Sequence, residues 1–209
     1  MTITIEEIKV KLLKELPGHK AHKILSPPYR DEEIKKRIDA SDIPRNSSVL
    51  LLLYQKNGSL NIPFIKRSVY EGVHSGQISL PGGKHENFDV DFKATALREA
   101  NEEIGIISAD VQILGQISDL YIPPSNFRVK VFVGYLPYQP MLIPDKKEVQ
   151  KIIEIPLVDI FKDDIIKSKV FYVSSYGIER KSPYFDLCGV EIWGATAMII
   201  SEFREIILQ

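Results

Sequence analysis

Cysteine is almost absent from the sequence, and so are long apolar runs. Cys188 is the single cysteine among 209 residues, and one cysteine cannot form a disulfide within the chain. The longest purely apolar run, residues 49–54, is far below the about 20 residues that a membrane helix requires. Residues 1–16 also lack the basic, apolar and small-residue pattern of a signal peptide. We therefore expect a cytoplasmic protein in a reducing environment, with no membrane partner.

An excess of charge of either sign is missing as well. Lysine and arginine together number 27 and aspartate and glutamate 28, for a formal net charge of -1. Proteins that bind nucleic acids usually carry an excess of positive charge, so no nucleic-acid partner is predicted. Hydrophobic residues make up 44% of the sequence, which at this length is enough for one domain with a sizeable core.

The order of the apolar segments predicts a short appendage followed by one domain. Residues 1–47 combine an amphipathic helix, ended by Pro17-Gly18, with a polar arm that wraps over the core, and residues 48–209 form the domain. Strands are predicted at 48–55, 61–67, 111–118, 127–136, 149–156, 169–174 and 184–190, and helices at 5–16, 91–104 and 195–208. This mixture predicts an α/β (α+β) fold, with Cys188 as inert packing in the last strand.

Three carboxylates share one side of the predicted helix 91–104. Glu99, Glu102 and Glu103 fall within an arc of about 100°. Like charges at this spacing repel by a few tenths of a kcal/mol per pair, and the last helical turn disfavours anions. A divalent cation is the simplest compensation, because carboxylate oxygens are the hard ligands that Mg²⁺ and Mn²⁺ prefer. The alternative is a solvated acidic face with no ligand.

The residues around these carboxylates form a recognisable motif. After Gly83 come five residues, then Asp89, eight residues, and the run Arg98-Glu-Ala-Asn-Glu-Glu-Ile-Gly-Ile106. This pattern resembles the Nudix box, with Asp89 where glutamate is usual and one extra residue before Arg98. The glycine pair that opens the motif, Gly82-Gly83, lets backbone groups approach a phosphate or a metal closely.

The resemblance implies a fold and a chemistry. Nudix proteins have an α/β/α sandwich with a mixed β-sheet, and most of them hydrolyse nucleoside diphosphate derivatives with Mg²⁺ or Mn²⁺. The metal ligands implied by position are Glu99, Glu103, Glu102 and the carbonyl of Gly83. Arg98 would orient the glutamates by ion pairing and so serve catalysis together with them. The group that accepts a proton from the attacking water stays open among Glu99, Glu102 and Glu148.

A second motif lies upstream of the first. Residues 67–83 resemble the signature of the coenzyme A diphosphatase branch of this family, with Gly72 in place of its second arginine and Leu80 in place of phenylalanine. The Trp-Gly-Ala-Thr-Ala run at 193–197 also resembles this branch. The implied partner is a small-molecule nucleoside diphosphate of coenzyme A type, cleaved to 3′,5′-ADP and 4′-phosphopantetheine. The alternatives are hydrolysis of ADP-ribose, NADH or a related compound, and a nucleotide-sensing module without turnover. Homodimers are common in the family, which leaves a homodimer as an option.

Cationic side chains are the expected partners of the 3′-phosphate of coenzyme A. The predicted substrate-binding residues are Arg67, Lys66, Gly82 and Lys84. His74 would either contact phosphate or fix its own loop by a hydrogen bond. Residues 121–127, rich in proline and aromatic side chains, would form either a lip over the substrate or an ordinary strand connection.

Overall fold

The central strand of the fold, β1 (Arg45–Lys56), is apolar on both faces. The computed structural model describes three stretches of the chain, residues 3–69, 71–173 and 177–209. Leu51 and Leu53 of β1 enter one hydrophobic core, whereas Leu50 and Leu52 enter another. Because successive side chains of a strand point to opposite faces, the sheet around β1 must be covered on both sides.

That sheet is mixed, as the sequence predicts. Its other strands are β2 (Ser59–Arg67), β3 (Ile78–Ser79), β4 (Gly82–Lys84), β5 (Gln112–Ile122), β6 (Phe127–Leu136) and β7 (Val149–Pro156). Within the described residues the order is β3-β2-β1-β6-β5, with β4 paired to β1 and β7 paired to β2. The pairing of β1 with β6 is parallel and begins at Arg45 opposite Phe127, while the other pairings are antiparallel.

Helices cover both faces of the sheet. The described helices are α1 (Ile5–Leu12), α2 (His19–Ile24), α3 (Arg30–Asp39), α4 (Phe92–Ile104) and α5 (Gly194–Leu208). Helix α4 packs on one face, and α1 and α5 pack on the other together with a small sheet of strands β8 (Ile166–Val173), β9 (Ile178–Leu187) and β10 (Val190–Trp193). The expected α/β/α sandwich is therefore confirmed. None of the described helices combines the length and the apolar character needed to cross a membrane.

The N-terminal segment differs from its prediction. Helix α1 ends at Leu12, before the expected stop at Pro17-Gly18. The predicted polar arm, residues 19–47, holds α2 and α3 as well as the start of β1. Apolar periodicity does not predict helix α2, because one of its two buried side chains is His22, a polar residue. The division of the chain at residues 47 and 48 stays a prediction.

The last predicted strand is also wrong. Residues 184–190 are interrupted by a turn at Cys188-Gly189, where both residues have positive φ, +55° and +81°, so that β9 and β10 form a hairpin. Cys188 is exposed in this turn, and its Sγ donates a hydrogen bond to Asp159 at 3.2 Å. It is therefore a turn residue and not strand packing. The predicted strand at 169–174 begins earlier, at Ile166, and residue 174 lies outside the described residues.

Candidate active site

The glycine pair is held against the central strand. Strand β1 bonds to β2 at its end and to β4 nearer its beginning, where Ser48 pairs with Gly83. Gly82 has a φ of +151°, and a Cβ atom there would lie 2.4 Å from the carbonyl oxygen of Ser48. A residue without a Cβ is needed for such an approach. The backbone of β4 thereby lies beside helix α4.

Helix α4 is anchored by its caps and its apolar face. The side chain of Asp91 caps the first turn, and Gly105 ends the helix in the left-handed conformation with a φ of +73°. Ala96, Ala100 and Ile104 are buried in the core between the helix and the sheet. The glutamates of this helix are thus held on a rigid element.

Glu103 is buried at the centre of the site. Its Oε2 accepts a hydrogen bond from the backbone N–H of Gly82 at 2.8 Å, and its Oε1 lies 3.3 Å from Nη1 of Arg67. Burial raises the pKa of Glu103 to about 7, and although Gly82 and Arg67 oppose that change, the charges of Glu99 and Glu148 add to it. The buried negative charge is therefore only partly compensated by the protein.

Glu99 lies one helical turn away and rests on Gly83. A Cβ atom at position 83 would come within 2.4 Å of Oε2 of Glu99. Arg98 Nη1 donates to Oε1 of the same carboxylate at 2.8 Å. Burial raises the pKa of Glu99 above its ordinary value; Arg98 acts against this, and the charges of Glu102 and Glu148 raise it further.

Asp89 holds Arg98 in place. The Nε and Nη2 atoms of Arg98 donate to the two oxygens of Asp89 at 2.9 and 3.0 Å, and the hydrogen bonds from Arg98 hold the pKa of Asp89 well below its usual range. The backbone N–H of Glu86 and the hydroxyl of Thr95 also donate to the buried Asp89 carboxylate. Arg98 in turn reaches Glu102 at 3.0 Å. Asp89 is thus occupied as an anchor for the arginine that contacts Glu99 and Glu102.

The chemistry of these donors suits a divalent cation. Within the described residues, no group of three or more histidine, cysteine, aspartate or glutamate side chains has the geometry of a metal site. Arg98, Arg67 and the N–H of Gly82 hold oxygens of Glu99 and Glu103. The oxygens are nevertheless hard ligands, and burial has raised the pKa of two of these carboxylates. The residues fit a cation provided that the arginine contacts yield to it.

A cleft of about 760 Å³ opens beside the glycine pair, within the usual size range of small-molecule sites. Of the predicted substrate contacts, Arg67, Gly82 and Lys84 line it. Lys66 does not: it lines a separate cavity of about 520 Å³ together with Lys151. Neighbouring residues on a strand face opposite sides, which separates Lys66 from Arg67.

Two loops complete the wall of the cleft. His74 lines it with a φ of +70°, and its Nδ1 lies 2.9 Å from Oε1 of Gln77, a contact that fixes the loop. Burial lowers the pKa of His74. Residues 122 and 124–127, from the segment predicted as either a lip or a strand connection, also line the cleft. The connection between β5 and β6 thus lies at the wall of the cleft, and a lip over the substrate stays a prediction.

Sequence reasoning missed two cations of the cleft. Arg37, on α3, donates to the carbonyl oxygens of Pro123 and Pro124 at 3.0 and 3.3 Å. Arg45, at the start of β1, also lines the cleft. Both belong to the segment predicted as a polar arm, where the sequence does not distinguish an arginine of a binding site from a solvent-exposed one. The only signal was the position of Arg45 close before the apolar run of β1.

An α/β/α sandwich with an acidic helix, a glycine pair and a cationic cleft defines a class of protein that handles anionic small molecules. A family model described as the NUDIX domain matches residues 44–171. The chain is 34% identical to the uncharacterized Nudix hydrolase NudL of Photorhabdus laumondii, over 79% of this chain and 86% of that protein. The chain belongs to the Nudix family.

Further relatives refine this placement. Nudix hydrolase 22, a chloroplastic protein of Arabidopsis thaliana, is 31% identical over 79% of this chain, which spans only 56% of that protein. The mitochondrial coenzyme A diphosphatase NUDT8 of Homo sapiens is 30% identical over 77% of this chain and 68% of that protein. The expected resemblance to the coenzyme A diphosphatase branch is thus confirmed.

Solved structures support the fold. The crystal structure of the Nudix hydrolase RenU from M. smegmatis matches with a TM-score of 0.56 at 12% identity, over 79% of this chain and 86% of that one. A MutT/nudix family protein from Enterococcus faecalis matches with a TM-score of 0.51 at 14% identity, over 100% of this chain and 76% of that one. At this identity the likeness concerns the fold alone.

Proposed function

We propose that the protein is a metal-dependent hydrolase that cleaves the diphosphate of coenzyme A or acyl-coenzyme A. The products would be 3′,5′-ADP and 4′-phosphopantetheine or its acylated form. The observation that carries the proposal is the buried carboxylate of Glu103 beside the half-buried carboxylate of Glu99. Both lie directly against Gly82-Gly83 at the edge of a cleft lined by arginines. Relatives named as coenzyme A diphosphatases support the substrate class.

The residues of the chain divide the work of this reaction. Glu99, Glu103, Glu102 and the carbonyl of Gly83 would hold Mg²⁺ or Mn²⁺. When bound there, such an ion neutralises the diphosphate charge and activates water. Arg98, anchored by Asp89, would keep Glu99 and Glu102 in position.

A proton must leave the attacking water, and a carboxylate of the site would accept it as general base. A general base works best when its pKa lies near the working pH. The candidates are Glu99, Glu102 and Glu148. The charge of Glu148 raises the pKa of Glu99 and of Glu103, which supports a place for Glu148 near the reacting centre although it lies outside the Nudix box.

Arg67, at the wall of the cleft, would face the diphosphate.

A second substrate class has one observation in its favour. Gly72 stands where the coenzyme A signature has its second arginine, so one expected contact to a phosphate or to the pantetheine arm is absent. Hydrolysis of ADP-ribose, NADH or another nucleoside diphosphate derivative would then use the same carboxylates. A sensor without turnover is disfavoured, because a binding module has no need of a repulsive acidic cluster.

Location and assembly rest on the sequence. We propose a cytoplasmic location from the single cysteine. A homodimer stays an option without a defined interface.

A panel of diphosphates tests the proposal. The protein would be incubated with Mg²⁺ or Mn²⁺ and coenzyme A, acetyl-coenzyme A, ADP-ribose, NADH or diadenosine polyphosphates, and the products separated by chromatography. Fastest release of 3′,5′-ADP from coenzyme A is expected. Faster cleavage of ADP-ribose or NADH would keep the chemistry and overturn the substrate. The Glu103→Gln variant should lose turnover by orders of magnitude, and unchanged activity in it would refute the metal assignment.

A further inference from the structure

Arg45 is a cation of the cleft with no acidic partner among the residues that the structure describes. One of its N–H groups, at Nη2, donates to the carbonyl oxygen of Ser125 at 2.9 Å, and its guanidinium lies 4.2 Å from the ring centroid of Phe127. Neither contact neutralises its charge. The other cations that line the cleft each have a carboxylate partner, in the pairs Arg67–Glu103, Lys84–Glu86 and Arg37–Asp42.

The position of Arg45 separates it from the acidic helix. Arg45 precedes Ser48 by three residues on β1, and Ser48 pairs with Gly83. At about 3.3 Å per residue of strand, the backbone of Arg45 lies about 10 Å along the strand from the glycine pair. The cleft therefore has an acidic end, where the diphosphate would react, and a cationic end at the connection between β5 and β6.

We propose that Arg45 binds a phosphomonoester on the ribose of the nucleotide substrate. The inference rests on the proposed function, because it takes the diphosphate to lie at the acidic end. Such a phosphate carries close to two negative charges near neutral pH, and a guanidinium has five N–H donors, of which the contact to Ser125 uses one. The contact with Phe127 holds the guanidinium in place before the ligand arrives.

Other cations are less suited to this phosphate. Arg67 is tied to the buried Glu103, at the reacting end of the cleft. Lys66 lines a different cavity. Lys84 is paired with the neighbouring Glu86. Arg45 thus takes the role that the sequence analysis predicts for Arg67, Lys66 and Lys84.

The test compares substrates that differ only in this phosphate. kcat/KM would be measured for coenzyme A against 3′-dephospho-coenzyme A, and for NADPH against NADH, in the wild-type protein and in Arg45→Ala. We expect a wild-type preference of about ten- to hundredfold for the phosphorylated member of one pair, since charge-assisted hydrogen bonds are worth that much. Arg45→Ala should remove the preference, because kcat/KM for the phosphorylated member should fall to the level of the unphosphorylated one. The pair that responds identifies a 3′- or a 2′-phosphate.

Arg128→Ala is the matched control. Arg128 is an exposed cation next to Phe127 on β6, and it does not line the cleft. Its removal should leave the preference intact. An equal loss with both members of each pair in Arg45→Ala would overturn the proposal, because it would show a structural role in holding the Ser125 turn.

Binding without turnover separates this inference from the proposed function. Calorimetric titration with 3′,5′-ADP and with AMP requires no hydrolysis. Tighter binding of 3′,5′-ADP, lost in Arg45→Ala, would support Arg45 even if the whole panel of diphosphates were left uncleaved. Equal binding of the two nucleotides by the wild-type protein, together with no preference in turnover, would refute it.

Discussion

The carboxylate of Glu99 occupies the space that a side chain at Gly83 would need. Its Oε1, Oε2 and carboxyl carbon would all lie between 2.4 and 2.7 Å from a Cβ atom at position 83. A Cβ atom does not approach non-bonded atoms this closely, so a larger residue at position 83 must displace the carboxylate. The glycine of β4 and the glutamate of α4 are therefore one structural unit, although 16 positions separate them in the chain.

The first prediction concerns this unit. Gly83→Ala should lower turnover by about a hundredfold, because a shift of about 1 Å in a reacting group can cost that much. The melting temperature should change little, since the displaced atoms end a flexible side chain. Gly82→Ala is the contrasting variant: its Cβ would meet the backbone oxygen of Ser48 at 2.4 Å, and it should destabilise the fold by about 2–3 kcal/mol. Wild-type turnover in Gly83→Ala would contradict the assigned position of Glu99.

The acidic half of the site was predictable because its geometry is local. Glu99 and Glu103 are four residues apart, and helical periodicity alone places them on one side of α4. The cationic end of the cleft, at the connection between β5 and β6, was not predictable, although Arg67 and Lys84 were predicted. Arg45 meets Ser125 across 80 residues, through the parallel pairing of β1 with β6. Long-range pairings of this kind leave no periodic pattern in the sequence.

The second prediction concerns pH and metal affinity. Burial raises the pKa of Glu103 to about 7, and a carboxylate must lose its proton to bind a cation. The affinity for Mn²⁺ should therefore fall as the pH drops below 7, by about tenfold from about pH 8 to about pH 6 for one proton. Calorimetric titrations across this range would measure the change. A pH-independent affinity in the wild-type protein would show that Glu103 is not a ligand.

The third prediction concerns stability in the absence of metal. A carboxyl group whose pKa is higher in the folded state than in the unfolded state binds its proton more tightly when folded. The stability that Glu103 contributes is thus complete below its ordinary pKa of 4.5 and is lost as the pH rises through about 7. In Glu103→Gln this loss should disappear. Denaturant unfolding of metal-free protein at several pH values measures it, with Glu102→Gln as an exposed control. Identical pH profiles of Glu103→Gln and wild type would refute the elevated pKa.

The N-terminal segment shows why part of the fold was missed. Helix α2 buries Ala21 and His22, and Nε2 of His22 lies 2.8 Å from Oε2 of the buried Glu202 on α5. Because its partner Glu202 lies 180 positions away, the polar His22 cannot be distinguished from a surface residue in the sequence. The apolar stripe of α1, in contrast, was visible in the sequence and predicted an amphipathic helix, which the structure shows at Ile5–Leu12.

The fourth prediction concerns the pair of His22 and Glu202. Burial by itself would raise the pKa of Glu202, but hydrogen bonds from His22 and Ser118 bring it below its ordinary value. His22→Ala removes one hydrogen-bond partner of this buried carboxylate and should cost about 1–3 kcal/mol of unfolding free energy. His19→Ala removes an exposed histidine from the same helix and should change it by less than about 0.5 kcal/mol. Equal effects of the two variants, measured by denaturant unfolding, would contradict a stabilising role of the pair.

The fifth prediction concerns the contact between α1 and the sheet. Leu12 is buried, and the space above Gly115 on β5 is filled by its side chain, whose Cβ would lie 3.2 Å from a Cβ atom at that glycine. Leu12→Ala should therefore lower the free energy of unfolding by about 2–3 kcal/mol. The neighbouring Leu13, 86% exposed, provides the matched control, since Leu13→Ala loses no core contact and should change stability by less than about 0.5 kcal/mol. Deletion of residues 1–16 should then be more damaging than either substitution. A deletion variant with wild-type stability and wild-type oligomeric size would show that α1 contributes nothing to the fold.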